Sequence, residues 1–263
     1  MDLLRQKLAP ISDKAWEEIN ETAKEKFSGL LSARKFSDFA GPKGIDFPAV
    51  TDGRLNIRED KNEVKYGLYN VMPMIEVRIP FKLNIWELDN LERGAEDIDL
   101  DNLEEAAEKM AAFEEDIIYN GLDDANLTGI IKSAEHHTDY SGKVDDILAA
   151  TAEGVSKLAR LGTEGPYALV VNKDTWVEIS GLIDGYPLRK HLEKILEGQI
   201  IISECIKQPI LLTMRGGDFR ITSGLDLSIG YQSHNTKEVE LYFTESFTFQ
   251  VIDPDAYLLF KSK

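Results

Sequence analysis

From Ile75 to Trp86 the chain alternates without a break. Ile75, Val77, Ile79, Phe81, Leu83 and Ile85 are apolar; Glu76, Arg78, Pro80, Lys82, Asn84 and Trp86 stand between them. A period of two is the mark of a strand with one apolar face. At about 3.3 Å per residue it spans roughly 35 Å, longer than the strands of most compact domains. Pro80 brings no N–H, which suits an edge strand or a bulge. Beyond the corner Trp86–Gly94 the period changes. Leu100, Leu103, Ala107, Met110, Phe113 and Ile117 recur at steps of three and four, the stripe of a long amphipathic helix. Asp99 is placed to cap it, Asp101 stands near its positive end, and Gly121 can close it in the left-handed conformation. A long strand passing to a long helix through a short acidic corner reads as an extended arm on the spine of a domain. An apolar face of that length is too long to be covered within one subunit, so the pattern predicts a neighbouring copy.

The chain has 263 residues, enough for one large domain or two intimate ones. It has no run of 18 apolar residues, and its first ten lack the uninterrupted apolar region of a signal peptide. The single cysteine, Cys205, excludes an internal disulfide framework and fits a reducing cytoplasm. Thirty basic against 47 acidic residues give a net charge of −17. That balance argues against a nucleic-acid surface, which needs cations to displace counterions.

Taken in order, residues 12–33 read as a helix capped by Ser12 or Asp13, with Trp16, Ile19, Ala23, Phe27 and Leu30/Leu31 on its apolar stripe. Gly41-Pro42 and Gly44 break the chain. Residues 45–69 read as the outgoing half of the arm, with a turn at Thr51–Arg54 and a polar tip at Glu59–Asn62. The adjacent His136 and His137 have no spaced partners and read as solvated loop residues. A second amphipathic helix covers residues 145–161. From Tyr167 to Met214 strands and helices alternate, with Asp174 as a helix cap, and predict a compact α/β subdomain. Arg215-Gly-Gly-Asp-Phe219 is a tight turn. Asp226–Tyr231 is a bent strand, and Glu238–Ile252 is a long one with Leu241, Phe243, Phe247, Phe249 and Val251 on one face.

Chemistry is hard to find. The carboxylates between Glu87 and Asp124 lie mostly on a solvated helix face, so no metal site is assigned there. No nucleophile elbow, phosphate-cradling loop or His-Glu-x-x-His motif occurs. No catalytic residue is assigned.

Several stretches then coincide with one family. Leu8–Ile11 with Trp16–Ile19, Ala33–Phe36 with Asp38, Trp86–Gly94, Glu164–Tyr167, Arg215–Phe219, Asp226–Tyr231 and Thr244–Val251 resemble, in order and over nearly the whole chain, the encapsulins, the linocin-like shell proteins of nanocompartments. The resemblance implies an α+β fold of the tailed-phage (Hong Kong-type) major capsid kind. Its expected parts are an N-terminal helix and arm (1–44), an extended loop (45–81), a peripheral domain with the spine helix (82–166), an axial domain (167–214) and a peripheral sheet (215–263).

It also implies a non-enzymatic, cytoplasmic icosahedral shell of about sixty copies under closed symmetry. Such a shell encloses a ferritin-like protein or a dye-decolourising peroxidase through a C-terminal targeting peptide. The residues matching the family's cargo groove are Phe27, Leu31, Arg34, Asp38, Ile229 and Tyr231. Those matching its five-fold pore loop are Ile183, Asp184, Gly185 and Tyr186; Asp184 is either a ring of pore charge or a turn cap. No cofactor is required, but flavin stacking on Trp86 near Arg78 is implied by one relative, and alternation sets both on the polar face of the long strand. The competing readings are a hydrolase, as older protease descriptions of relatives would have it, and a prophage capsid protein.

Overall fold

The first helix, α1 (Asp13–Leu30), starts where Ser12 Oγ accepts the Ala15 N–H at 3.2 Å. Its stripe of Ala15, Ile19, Ala23 and Phe27 is buried. In the computed structural model, which describes residues 3–59, 62–184 and 186–262, a short 3-10 turn at Ala33–Lys35 leads from it into strand β1 (Asp38–Ala40). Strands β2 (Ala49–Glu59) and β3 (Lys65–Pro73) form a two-stranded hairpin that, among the described residues, pairs with no other strand. Two residues of the expected polar tip, Asp60 and Lys61, lie outside the described residues.

The alternating stretch is strand β4 (Ile75–Asn84). It ends two residues before the alternation does, because Asn84 Oδ1 accepts the Trp86 N–H at 2.9 Å and starts helix α2 (Ile85–Glu92). The spine helix α3 (Asp101–Asn120) follows. Leu100 rather than Asp99 is its cap residue, although Asp99 Oδ1 still accepts the Asp101 N–H at 3.0 Å. Gly121 closes α3 at φ 86°; a Cβ there would stand 2.5 Å from the Leu127 carbonyl oxygen, so glycine is required.

The next elements are β5 (His137–Tyr140), α4 (Val144–Arg160), β6 (Tyr167–Val171) and α5 (Lys173–Gly181). Asn172, not Asp174, caps α5 by accepting the Thr175 N–H at 2.8 Å. The minimal hairpin β7 (Ile183–Asp184) and β8 (Tyr186–Pro187) precedes α6 (Leu188–Leu196), β9 (Gln199–Ile202) and β10 (Ile210–Thr213). The chain finishes with β11 (Phe219–His234), β12 (Glu238–Val251) and β13 (Tyr257–Ser262).

These strands make two main sheets. One has the order β1-β11-β12-β4, with β1 parallel to β11 and the rest antiparallel. The other has the order β5-β13-β10-β6-β9. The α/β reading of residues 167–214 thus gains two strands from outside that stretch: β13 pairs with β10, and β5 with β13. His137 opens β5 opposite Leu259, and His136 Nε2 stands 2.6 Å from Asp255 Oδ1, so this pair is an ordered junction rather than a solvated loop.

Three apolar clusters hold the layers together. Helices α1, α2 and α3 pack on one face of the first sheet around Ile19, Phe27, Leu103, Met110, Ile229 and Phe243. A second cluster joins the two sheets through Phe36, Tyr119, Phe219, Phe247 and Tyr257. The third lies between α4, α5, α6 and the second sheet. At about 25 cal/mol per Å2 of apolar surface, each large buried side chain contributes roughly 2 kcal/mol, so these clusters carry the fold.

β4 corrects the expectation drawn from its length. Pro80 does sit on an edge strand, since β4 is outermost in its sheet. Its apolar face, however, is covered inside the chain: Phe81 and Leu83 are buried, and Val77 and Ile79 pack on the same cluster as α1 and α3. The uncovered arm is the β2–β3 hairpin. There Leu55, Ile57, Tyr66, Leu68, Tyr69 and Val71 are all exposed, Ile57 by 65%.

A candidate cargo groove beside the first helix

Between the C-terminal half of α1 and the bent part of β11 lies a cavity of about 380 Å3. Its apolar walls are Ala23, Phe27 and Leu31 on one side and Leu227, Ile229 and Phe243 on the other; Asn20, Lys24, Ser28, Arg34, Lys35 and Ser228 supply polar groups. The helix reaches it because residues 20, 24, 27, 28 and 31 recur at helical spacing on one face. The strand reaches it because β11 slips register against β12 between Ser223 and Ser228, turning Leu227–Ile229 toward α1. Phe27 and Phe243 meet edge to face with ring centroids 5.1 Å apart.

Four of the six residues matched to a cargo groove therefore converge: Phe27, Leu31, Arg34 and Ile229. The other two do not. Asp38 accepts the Gly217 N–H at 2.7 Å and belongs to the Arg215–Phe219 turn. Tyr231 packs against the same core, but its hydroxyl is 2.6 Å from His234 Nδ1, away from the cavity lining. Sequence reasoning passed over Asn20, Lys24, Ser28 and Lys35, although their spacing with Phe27 and Leu31 was the available signal.

Arg34 is not paired with Asp38. Its Nε and Nη2 donate to both oxygens of Glu114 at 2.8 and 2.7 Å, Nη2 also meets Glu245 at 3.0 Å, and Nη1 meets Asp226 at 2.8 Å. Glu114 and Glu245 are fully buried, at 0% and 1% exposure. Burial works against the guanidinium charge, and the carboxylates outweigh it, so Arg34 is held firmly charged. Glu245 is pushed well above the usual carboxylate range by burial first and by Glu114 second. Its Oε1 has no hydrogen-bond partner among the described residues. Next to this cluster, Glu115 accepts from Ser32 Oγ, the Ala33 N–H at 2.8 Å and Ser203 Oγ at 3.0 Å. Three buried acids, Glu114, Glu115 and Glu245, thus tie the exit of α1 to the spine and the sheets.

The pore-loop residues are described only in part. Gly185 lies outside the described residues, and of Ile183 and Asp184 only the backbone is described, Asp184 pairing with Tyr186. Tyr186 is exposed and meets the His191 ring edge-on at 4.8 Å.

Trp86 and Arg78 do not share a face. Arg78 stacks over Tyr242 at 4.3 Å on β4, whereas Trp86 sits on α2 with Arg93 at 5.7 Å. Six strand residues, roughly 20 Å, separate Arg78 from the end of β4. Cys205 borders a second cavity of about 680 Å3, and burial followed by nearby acids pushes its thiol up to about 11, the opposite of an activated nucleophile.

The family model for "encapsulating protein for peroxidase" (Linocin_M18) matches residues 1–248. A type 1 encapsulin shell protein of Rhodospirillum rubrum is 37% identical over 265 residues, covering 97% of this chain and 94% of the relative. One from Rhodococcus erythropolis is 36% identical, covering 97% and 98%. Among solved structures, a virus-like particle from Pyrococcus furiosus superposes with a TM-score of 0.66 at 15% identity, covering 93% of this chain and 98% of that one. The Mycobacterium phage Cain structure gives 0.55 at 12%, covering 89% and 90%. Those two likenesses fix the fold as that of tailed-phage capsid proteins. The relatives are named for a shell rather than for a reaction, so the hydrolase reading is set aside. With the family matched along nearly its whole length, the chain belongs to the encapsulin shell proteins, which are structural proteins and not enzymes.

Proposed function

We propose that this chain closes into an icosahedral shell of about sixty copies and takes up a cargo enzyme by seating that enzyme's C-terminal targeting peptide between α1 and β11. The observation that carries the reading is the apolar groove of about 380 Å3 in a shell-forming chain. A groove of that size suits the side chains of a short extended peptide. The family's description favours a peroxidase as cargo; a ferritin-like protein is the second reading, and both belong to a cytoplasmic compartment. Asp184, repeated around a five-fold pore, would draw cations inward. Flavin is left out of the reading, since Arg78 lies on β4 and Trp86 on α2 rather than both on one strand face.

Ile229→Asp tests the groove. It sets a charge against Phe27 and Phe243, and we expect hollow particles of normal size under the electron microscope that no longer carry cargo. Cargo at the wild-type ratio in such particles would place the site elsewhere.

A further inference from the structure

The ionisable side chains lining the groove are Lys24, Arg34 and Lys35. All three are cationic and, among the described residues, no carboxylate lines the cavity, although acids outnumber bases by 47 to 30 in the chain. Four of the five N–H donors of Arg34 already go to Glu114, Glu245 and Asp226, so its charge is largely spent within the chain. Lys24 and Lys35 are different. Neither forms an ion pair among the described residues, whereas Lys26, two residues on, meets both Glu104 and Glu108 of α3. Lys24 stands a turn before Phe27, and Lys35 stands four residues beyond Leu31. The two free cations thus bracket the apolar floor.

Resting on the reading of this groove as the cargo site, we propose that it selects an extended peptide whose apolar centre is flanked on both sides by acidic side chains, one facing Lys24 and the other Lys35. The floor of Phe27, Leu31, Leu227, Ile229 and Phe243 supplies affinity by burying the apolar centre. The lysines supply selection: a carboxylate on each flank meets an unpaired cation, and a basic flank meets like charge. Each rim pair is exposed to solvent, so its effect is about threefold in binding and fades as salt rises.

The test uses assembled shells. A fluorescent reporter protein ends in a Leu-Ser-Leu-Ser-Leu core flanked by aspartates, asparagines or lysines, and each form is co-produced with the shell. Reporter per shell is then measured in purified particles. We expect loading to fall from acidic through neutral to basic flanks, with about tenfold between the extremes. A Lys24→Glu/Lys35→Glu shell should reverse that order. Amidating a chemically ligated acidic peptide should leave its loading unchanged, since side chains rather than the chain end supply the charge. Equal loading of the three reporters, or preference for lysine, with Ile229→Asp still abolishing all loading, would overturn the proposed selection and leave the groove in place. Wild-type loading by Ile229→Asp shells would overturn the groove itself, and the selection with it.

Discussion

At Arg34 a single guanidinium answers three carboxylates, two of them buried, so the cluster holds more negative charge than positive. Burial first, and Glu114 second, raise the proton affinity of Glu245 well above that of an ordinary carboxylate. A carboxyl whose folded-state affinity for protons exceeds its unfolded one favours the fold at low pH. That contribution is lost as pH climbs above the ordinary carboxylate range toward the raised value. Glu245→Gln keeps an acceptor for Arg34 without the charge. We expect it to match the wild type near pH 4 and to unfold several degrees higher at pH 8, in thermal scans across that range. Arg34→Met has the opposite sense. It leaves Glu114 and Glu245 buried without a cation, which costs about 3–5 kcal/mol, and the yield of shells should fall before any effect on cargo is read.

The two extended elements differ in what they lack. Among the described residues β4 has no strand on one side, but its apolar face is covered by helices. The β2–β3 hairpin lacks both, with Leu55, Ile57, Leu68 and Tyr69 open to solvent. An apolar two-stranded ribbon is marginal alone in water, so its natural cover is another copy in the shell. Ile57→Asp with Tyr69→Asp should therefore leave the subunit's helix and strand signals in circular dichroism unchanged while size-exclusion chromatography shows small species in place of particles. Particles of wild-type size would show that the hairpin is not part of the contact.

Across the whole molecule the net charge is −17 per chain. Copies packed in a closed shell repel one another through that charge, and salt screens the repulsion over a Debye length of about 8–10 Å near physiological strength. Empty shells are expected to survive heating longer at 0.5 M than at 10 mM salt, with particle size followed by light scattering. A shell that weakened with added salt would point to cross-copy ion pairs outweighing the repulsion. The same acidity is why the charged residues lining the groove, all of them cationic, carry information: they run against the composition of their surroundings.

By itself the sequence determined the local parts. Alternation from Ile75 to Leu83 made β4, steps of three and four made α1 and α3, and the glycines of Arg215–Phe219 made the turn, because side-chain period and backbone freedom act within a few residues. One tertiary clue was also legible. Glu245 shares a parity with Leu241, Phe243 and Phe247, and an acid on an apolar face needs a buried partner. Which partner it takes could not be read. Arg34 stands 211 residues from Glu245 and 80 from Glu114, and only packing α1 and α3 on the sheet brings the three together. The same holds for cover. The sequence showed an apolar face on β4, but only the tertiary structure decided that the chain's own helices bury it and that β2–β3 is the element left bare. Periodicity reports which face of an element is apolar; what lies against that face depends on contacts between residues far apart in the chain.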